Sequence, residues 1–550
     1  MRLAIRKPKR KLRRALTLPT TRFTLLSLAF ILFIVLCVLP IVYMIGVSLV
    51  NSEGSVNFDN YRRLLVEARQ RELLLNSTLL GASSAVLATL LGAPLGLLLA
   101  RARLPAKRLL RIALVVPLII PPYILALAWI LFTVPTGFFA SVSGLDLLSG
   151  WTYTFTGSVV VLGLANYPLS MLATEAAARR VDGHLEEAAL LVTDTRRVLW
   201  RMTMPFIAPM VAAAGLIIFV LALSEFGVPS LLRVRVYTTE VFTAFAALYD
   251  FGAATALALP ILTITFVIAV IIKLIVGEKF ISTRRSIHPA LPIVLGRSRA
   301  FVVGGTIIVL AVSVMLPLVV LAYEAGNLRR VTATFEGSRD AIVNSLSLAL
   351  IAATFIVGLA IFLGYWRGRA RARWRGVLDL FLIVIFAVPS TVVAVGLIGL
   401  WNRPGLPGKL YTSQTIIIIA YVARFVTVAA LILTASVRQI PESFEEAAEV
   451  AGGSWPRTFA QIVLPNLRQG VVAAWLIAFI FVVGELGTTI LVAPPGESTL
   501  PVRIYTLIAN SPTSEVAALA LMEVGIILVP LTLLALLGRG RVKQRGASGG

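Results

Sequence analysis

The sequence predicts an all-α polytopic membrane protein with twelve spanning helices, arranged as two parallel repeats of six. Three observations carry this. The chain is 58% hydrophobic and 14% charged, against roughly 45–50% and about 25% for soluble globular proteins. Its apolar residues gather into runs of about 20, the length needed to cross a bilayer core. A polar word, Glu186-Glu187-Ala188-Ala189, recurs as Glu445-Glu446-Ala447-Ala448, 259 residues later (446 − 187).

The apolar runs fall at 23–50, 77–100, 112–132, 157–178, 205–226 and 253–276, then at 300–322, 345–365, 377–401, 415–437, 465–492 and 516–537. Helix is the state that suits them, because lipid offers backbone groups no partners and barrel-like alternation is absent. Residues 1–22 form a basic arm carrying Arg2, Arg6, Lys7, Lys9, Arg10, Lys11, Arg13, Arg14 and Arg22. The first run is too long for a signal-peptide core and lacks a clear small-residue cleavage site, so it reads as retained. The loop after the second run carries Arg101, Arg103, Lys107, Arg108 and Arg111, and that after the eighth carries Arg367, Arg369, Arg371, Arg373 and Arg375. Residues 539–550 form a basic tail with Arg539, Arg541, Lys543 and Arg545. The loop between the first two runs is balanced, with Glu53, Asp59, Glu67 and Glu72 against Arg62, Arg63, Arg69 and Arg71. This is the positive-inside pattern, and it predicts both termini in the cytoplasm. It also accounts for the net charge of +24 without nucleic acid, since a basic arm beside a first membrane helix is a topology signal. Residues 277–299, polar and basic with Pro289 and Pro292, read as a cytoplasmic connector between a first repeat at 23–276 and a second at 300–538.

The repeat extends beyond the Glu-Ala-Ala words. Asn76-Ser77 opens the second run and Asn344-Ser345 the eighth. Pro121 corresponds to Pro389, and Glu225-Phe226-Gly227 to Glu485-Leu486-Gly487. The copies enter the membrane from the same side, so the repeats are parallel and related by an axis along the membrane normal.

Leu185 to Arg201 interrupts the apolar pattern with dense mixed charge: Glu186, Glu187, Asp194, Arg196, Arg197 and Arg201. The second copy runs from Phe444 to Arg457. Paired alanines leave a low helical face that a partner can approach closely. Gly452-Gly453 permits a sharp reversal, because glycine accepts positive φ. Pro205 and Pro465 suit the first turn of the helix that follows. A single such helix is equally well a solvated surface element, but two copies at matched places favour a docking surface.

The second copy, Glu446-Ala447-Ala448-Glu449-Val450-Ala451-Gly452 followed by Ile462-Val463-Leu464-Pro465, resembles the EAA motif of ATP-binding-cassette importer permeases: E-A-A, three residues, glycine, nine residues, I-x-L-P. The first copy departs from it. It is one residue shorter from Glu187 to Pro205, Val192 runs into Thr193 with no glycine, and Met202-Thr203-Met204-Pro205 replaces the I-x-L-P ending. The whole length resembles the fused permeases of iron(III)- and thiamine-type importers. The resemblance implies a type I importer fold, with five core helices and an N-terminal helix in each half, and a pathway along the interface of the halves. It implies that Glu186, Glu187, Ala188, Ala189, Glu445, Glu446, Ala447, Ala448, Gly452, Pro205 and Pro465 belong to elements that couple to two copies of a separate ABC ATPase. It also implies an external, periplasmic substrate-binding protein and a place in the cell inner membrane. ATP and Mg would be used by the partner subunits, with no cofactor bound by this chain. Iron(III) is the preferred substrate, because the Glu-x-Gly stretches and the segments Tyr237-Thr238-Thr239-Glu240 and Ser498-Thr499-Leu500-Pro501 look closest to ferric permeases. Thiamine or a phosphonate would need few changes.

Glu225 lies 20 residues beyond Pro205 and Glu485 lies 20 beyond Pro465, roughly 30 Å along a helix and so a full hydrocarbon thickness. Both carboxylates should therefore lie at the outer ends of their helices. With Gly227 and Gly487 they are candidate pathway or gate residues. Hard oxygen ligands suit a hard cation, but a gate or binding-protein contact fits better than a metal site, and no metal ligand is assigned. The plain alternative is a glutamate capping a loop at the water interface. Glu523 has no counterpart in the first half, and its expected partner is an arginine at a neighbouring helix end. Pro117, Pro121, Pro122 and Pro389 predict kinks. No phosphate-cradling Gly-x-x-x-x-Gly-Lys-Ser/Thr occurs; Gly405-Leu406-Pro407-Gly408-Lys409 has the wrong spacing. Two histidines and the single Cys37 support neither a metal cluster nor nucleophilic chemistry, so the chain reads as a transport subunit and not an enzyme. The rival class is an ion-gradient-driven secondary transporter, which shares the topology but has no need of the mixed-charge helices.

Overall fold

The computed structural model describes residues 20–49, 61–62, 66–145, 147–282, 292–293, 295–370 and 372–547. The principal helices of the first half are α1 (Thr21–Ser48), α2 (Ala68–Arg101), α3 (Lys107–Ile119), α4 (Pro122–Thr133), α5 (Phe155–Ala178), α6 (Gly183–Leu190), α7 (Thr195–Leu223) and α8 (Phe251–Ser282). The second half repeats the order: α9 (Gly296–Ala325), α10 (Arg339–Arg369), α11 (Ala372–Ala387), α12 (Ser390–Trp401), α13 (Thr415–Val437), α14 (Ser443–Val450), α15 (Trp455–Val483) and α16 (Thr513–Ala547). Among the described residues eleven helices are long and apolar enough to span a membrane. A bent pair, Phe381–Ala387 with Ser390–Trp401, makes a twelfth if it is counted as one span. Lipid-facing positions such as Phe23, Leu28, Phe301 and Ile308 leave large apolar side chains exposed, as a hydrocarbon surrounding requires.

The predicted runs 112–132 and 377–401 are not continuous helices. The two pieces of the second meet at 100°, and α3 and α4 are separated by extended backbone at Ile120 and Pro121. Proline disfavours helical geometry in the residue before it and donates no N–H, so the kinks expected at Pro121 and Pro389 are full breaks. Pro117 lies inside α3 and Pro122 opens α4.

The halves exchange their first helices. α1 packs on α12 and α10 of the second half as well as on α8, and its Phe33, Cys37 and Met44 are buried in a core shared with Val392, Ile398 and Ala353. In return α9 packs on α4 of the first half and on α16. Within each half the second and fourth spans, α2 with α5 and α10 with α13, are the most intimate pairs. Glycine makes this possible, as small residues do in membrane helix pairs. A Cβ on Gly96 would collide with the Met171 carbonyl, and one on Gly364 would lie 2.9 Å from Leu433 Cβ.

The predicted connector is mostly helix at its ends: α8 runs to Ser282 and α9 begins at Gly296. Ile293 N–H donates to the Arg101 carbonyl at 3.2 Å, which returns the connector to the arginine-bearing end of α2. Residues 1–19 of the basic arm and 548–550 of the tail lie outside the described residues, while 539–547 continue α16.

Candidate functional site

Two regions gather the candidate residues, and the first is the pair of polar elements on the arginine-rich side. Each is a helix, a turn and a second helix rather than the single helix expected. In the first, Asp182 caps α6 by accepting from His184 N–H at 3.1 Å, and Asp194 caps the start of α7 by accepting from Arg197 N–H at 2.7 Å. In the second, Gly452 adopts φ +83°. Its N–H donates to Glu449 O at 3.0 Å, and Gly453 N–H to Ala448 O at 2.8 Å. That is the Schellman arrangement, which needs a left-handed residue at this point. The glycine-free first copy makes its turn through Leu191-Val192-Thr193, with Thr193 N–H on Ala189 O at 3.1 Å.

The Glu-Glu-Ala-Ala word is not one exposed face. Glu187, Ala188, Glu446 and Ala447 are exposed, while Ala189 and Ala448 are half-buried. The leading glutamate turns inward in both copies. Glu186 is 1% exposed. It accepts from Arg101 Nη1 and from Thr203 Oγ1, both at 2.6 Å. Glu445 accepts from Arg369 Nε at 2.8 Å and from the Tyr365 hydroxyl at 2.7 Å, and Trp455 Nε1 donates to that hydroxyl at 3.0 Å. A helix turned by about 100° per residue cannot show both glutamates to solvent when one has a buried arginine to meet. Beside the exposed positions, Leu191, Val192 and Val450 stand 87%, 85% and 90% exposed, an apolar tip on each element. Pro205 and Pro465 do not start a helix afresh. Each follows a π-helical turn, Leu199–Thr203 or Phe459–Val463, inside a continuous helix. Such a turn shifts the hydrogen-bond register where proline lacks a donor.

The second region is a cavity of about 330 Å³ between the halves. Glu225 and Glu485 both line it, each two residues past the end of its long helix, α7 or α15. The sequence expects them at the ends of these helices, and there each carboxylate caps the segment that follows it. Glu225 Oε1 accepts from Gly227 N–H at 3.0 Å, and Glu485 Oε1 accepts from Thr488 N–H and Thr488 Oγ1, both at 2.9 Å. Gly227 and Gly487 are needed for packing against the helix breaks. A Cβ on Gly227 would lie 2.8 Å from Tyr123 Cβ, and one on Gly487 would collide with the Ser390 hydroxyl.

Arg424 shares this cavity, and sequence reasoning missed it. It lies within α13, and its guanidinium donates to the Val388 carbonyl, at the break between α11 and α12. Its signal was available, since it is the sole charged residue of the run 415–437 and such residues are functional candidates by default. Glu523 also departs from expectation. It is fully buried in α16 and accepts from the Tyr123 hydroxyl of the first half at 2.5 Å. It lies mid-span, away from the helix ends where arginines sit, so a tyrosine and not an arginine meets it.

The model of the family described as "binding-protein-dependent transport system inner membrane component" matches the chain twice, over 92–278 and 356–545. The chain belongs to this family. It is a fused permease, with two family repeats in one polypeptide and multiple spans of the inner membrane. The permease is 25% identical over 483 residues to the Fe(3+)-transport system permease protein of Haemophilus influenzae, covering 86% of this chain and 91% of that one. It is 23% identical over 443 residues to a ferric transport system permease of Actinobacillus pleuropneumoniae, covering 76% and 64%. A protein of Salmonella paratyphi A assigned by name to 2-aminoethylphosphonate transport is 29% identical over 223 residues, covering 39% of the permease and 78% of that relative.

Proposed function

We propose that this permease is the membrane subunit of an ATP-driven, binding-protein-dependent importer, with both termini in the cytoplasm and iron(III) as the delivered solute. The observation that carries the reading is the matched pair of polar elements. Each presents Glu187 and Ala188, or Glu446 and Ala447, beside an exposed apolar tip on the arginine-rich side. Such a surface suits a groove on a separate protein, and two of them suit two ATPase subunits. Arginine-rich loops mark that side as cytoplasmic. Hydrolysis of ATP with Mg belongs to those subunits, and the permease contributes no catalytic group. A binding protein outside the membrane delivers the solute to the opposite side, and Glu225, Glu485 and Arg424 line its way between the halves.

Iron is favoured by the two ferric permeases that resemble the chain over most of its length. Thiamine and phosphonates are the neighbouring alternatives, and the phosphonate relative resembles the permease over a shorter stretch. The cognate binding protein decides between them. Isolated from the same cells and titrated with ferric iron, thiamine and 2-aminoethylphosphonate, it is expected to bind ferric iron. Selective binding of either organic ligand would overturn the iron assignment while leaving the importer reading in place.

A further inference from the structure

We propose that α2 and α10 act as struts joining each docking element to the segment that follows the cavity carboxylate of the same half. Arg101 and Arg369 are the positioning residues at one end, and Ser77 and Ser345 at the other. The proposal rests on the docking reading above.

The arginines after α2 and α10 are explained in part by topology, but topology does not require burial. Arg103, Arg108 and Arg111 are exposed, as a positive-inside cluster should be. Arg101 is buried, and the side chain of Arg369 is 8% exposed. A buried guanidinium is costly unless paired and hydrogen-bonded, and each of these two is paired with the leading glutamate of a docking element. The spacing between them (369 − 101 = 268) equals that between Asn76 and Asn344, so the pairing is a property of the repeat. Covalently, each docking element is attached to α5 and α7, or to α13 and α15. The ion pairs fasten it to a different helix.

The opposite ends of the same two helices are also fastened. Ser77 Oγ accepts from Tyr237 N–H at 2.8 Å, and Ser345 Oγ accepts from Leu500 N–H at 2.6 Å. Both serines are buried. Tyr237 and Leu500 each open a short helix, Tyr237–Ala246 or Leu500–Leu507. The N–H groups of a first turn have no partner within their own helix, so a serine from α2 or α10 supplies it. In the first half the next link is explicit: Thr238 Oγ1 donates to the Glu225 carbonyl at 2.9 Å. The path from Glu186 to Glu225 thus runs through Arg101, along roughly 36 Å of helix, and through Ser77 and Tyr237. Rigid elements clamped at both ends carry displacement between distant sites.

The test uses the full permease with its own ATPase and binding protein, and reads ATP hydrolysed per radiolabelled ferric ion taken up. Arg369→Met, Glu445→Met and the double variant are compared with Ser345→Ala. Arg369→Met leaves the Glu445 carboxylate without its arginine, and Glu445→Met leaves the buried Arg369 only Glu442 at 3.7 Å and the Ile440 carbonyl, so both lower the melting temperature; the double variant removes both charges of the pair and recovers it. If α10 is a strut, the ATP-to-iron ratio rises about tenfold in both single variants, in the double variant and in Ser345→Ala, while the ATPase still co-purifies. Recovery of the ratio together with the melting temperature in the double variant would reduce the pair to structural support and overturn the proposal, as would a wild-type ratio in Ser345→Ala. Failure of the ATPase to associate with the wild-type permease would instead overturn the docking reading beneath it.

Discussion

Arg424, Glu225 and Glu485 place charges of both signs in one cavity wall. With all three lining one cavity, the positive charge of the arginine offsets a repulsion that the two carboxylates alone would suffer. Its hydrogen bond to the Val388 carbonyl needs a donor but not a charge. Arg424→Gln keeps a donor and loses the charge, whereas Arg424→Lys keeps both. Initial rates of iron uptake are expected to fall about tenfold or more in the first, equivalent to at least ~1.4 kcal/mol, and to be largely retained in the second. Equal rates in both would show that the arginine serves only the helix break. The Glu225→Gln, Glu485→Gln double variant is expected to cut uptake strongly, and normal uptake would remove both residues from the pathway. The two glutamates were legible because they recur 20 residues after matched prolines. Arg424 was harder to see because reasoning from the duplication favours residues that have a twin. The 259-residue offset between the two Glu-Glu-Ala-Ala words puts Ala165 at its place in the first half.

The two docking elements share a word and differ in their turns. Gly452 at φ +83° sits where an L-residue loses roughly 1–2 kcal/mol, and the first copy avoids that geometry with its Asp194 cap. Substitution of Glu446, or Gly452→Ala, is therefore expected to raise the ATP spent per ion transported more than substitution of Glu187 does. Equal effects would contradict that ranking while leaving docking intact. The glycine turn could be read from sequence because positive φ selects glycine. The inward rotation of Glu186 and Glu445 could not, because their partners Arg101 and Arg369 lie 85 and 76 residues away in the chain. The breaks in the third and ninth spans were half-legible. Proline announced a kink, but hydropathy alone reads two short apolar helices as one.

At the scale of the molecule, the duplication sets the architecture. Parallel halves, reciprocal exchange of α1 and α9, and a cavity on the shared face follow one plan used twice. Hydropathy and the recurring words foretold the two sets of helices. They did not foretell the exchange, because an apolar helix carries no mark of which half it will cover. The halves are not identical: Arg424 and Glu523 have no charged twin, and the turns of α6 and α14 are built differently. A gradient-driven carrier could share the helices and the cavity, but it would have no use for two exposed polar elements on one side. The direct measurement is solute uptake into sealed vesicles holding the permease, its ATPase and its binding protein, with ATP supplied or withheld and with or without an imposed ion gradient. An ATP-driven mechanism predicts uptake that requires ATP and the ATPase and is indifferent to the gradient. Uptake driven by the gradient alone would contradict it.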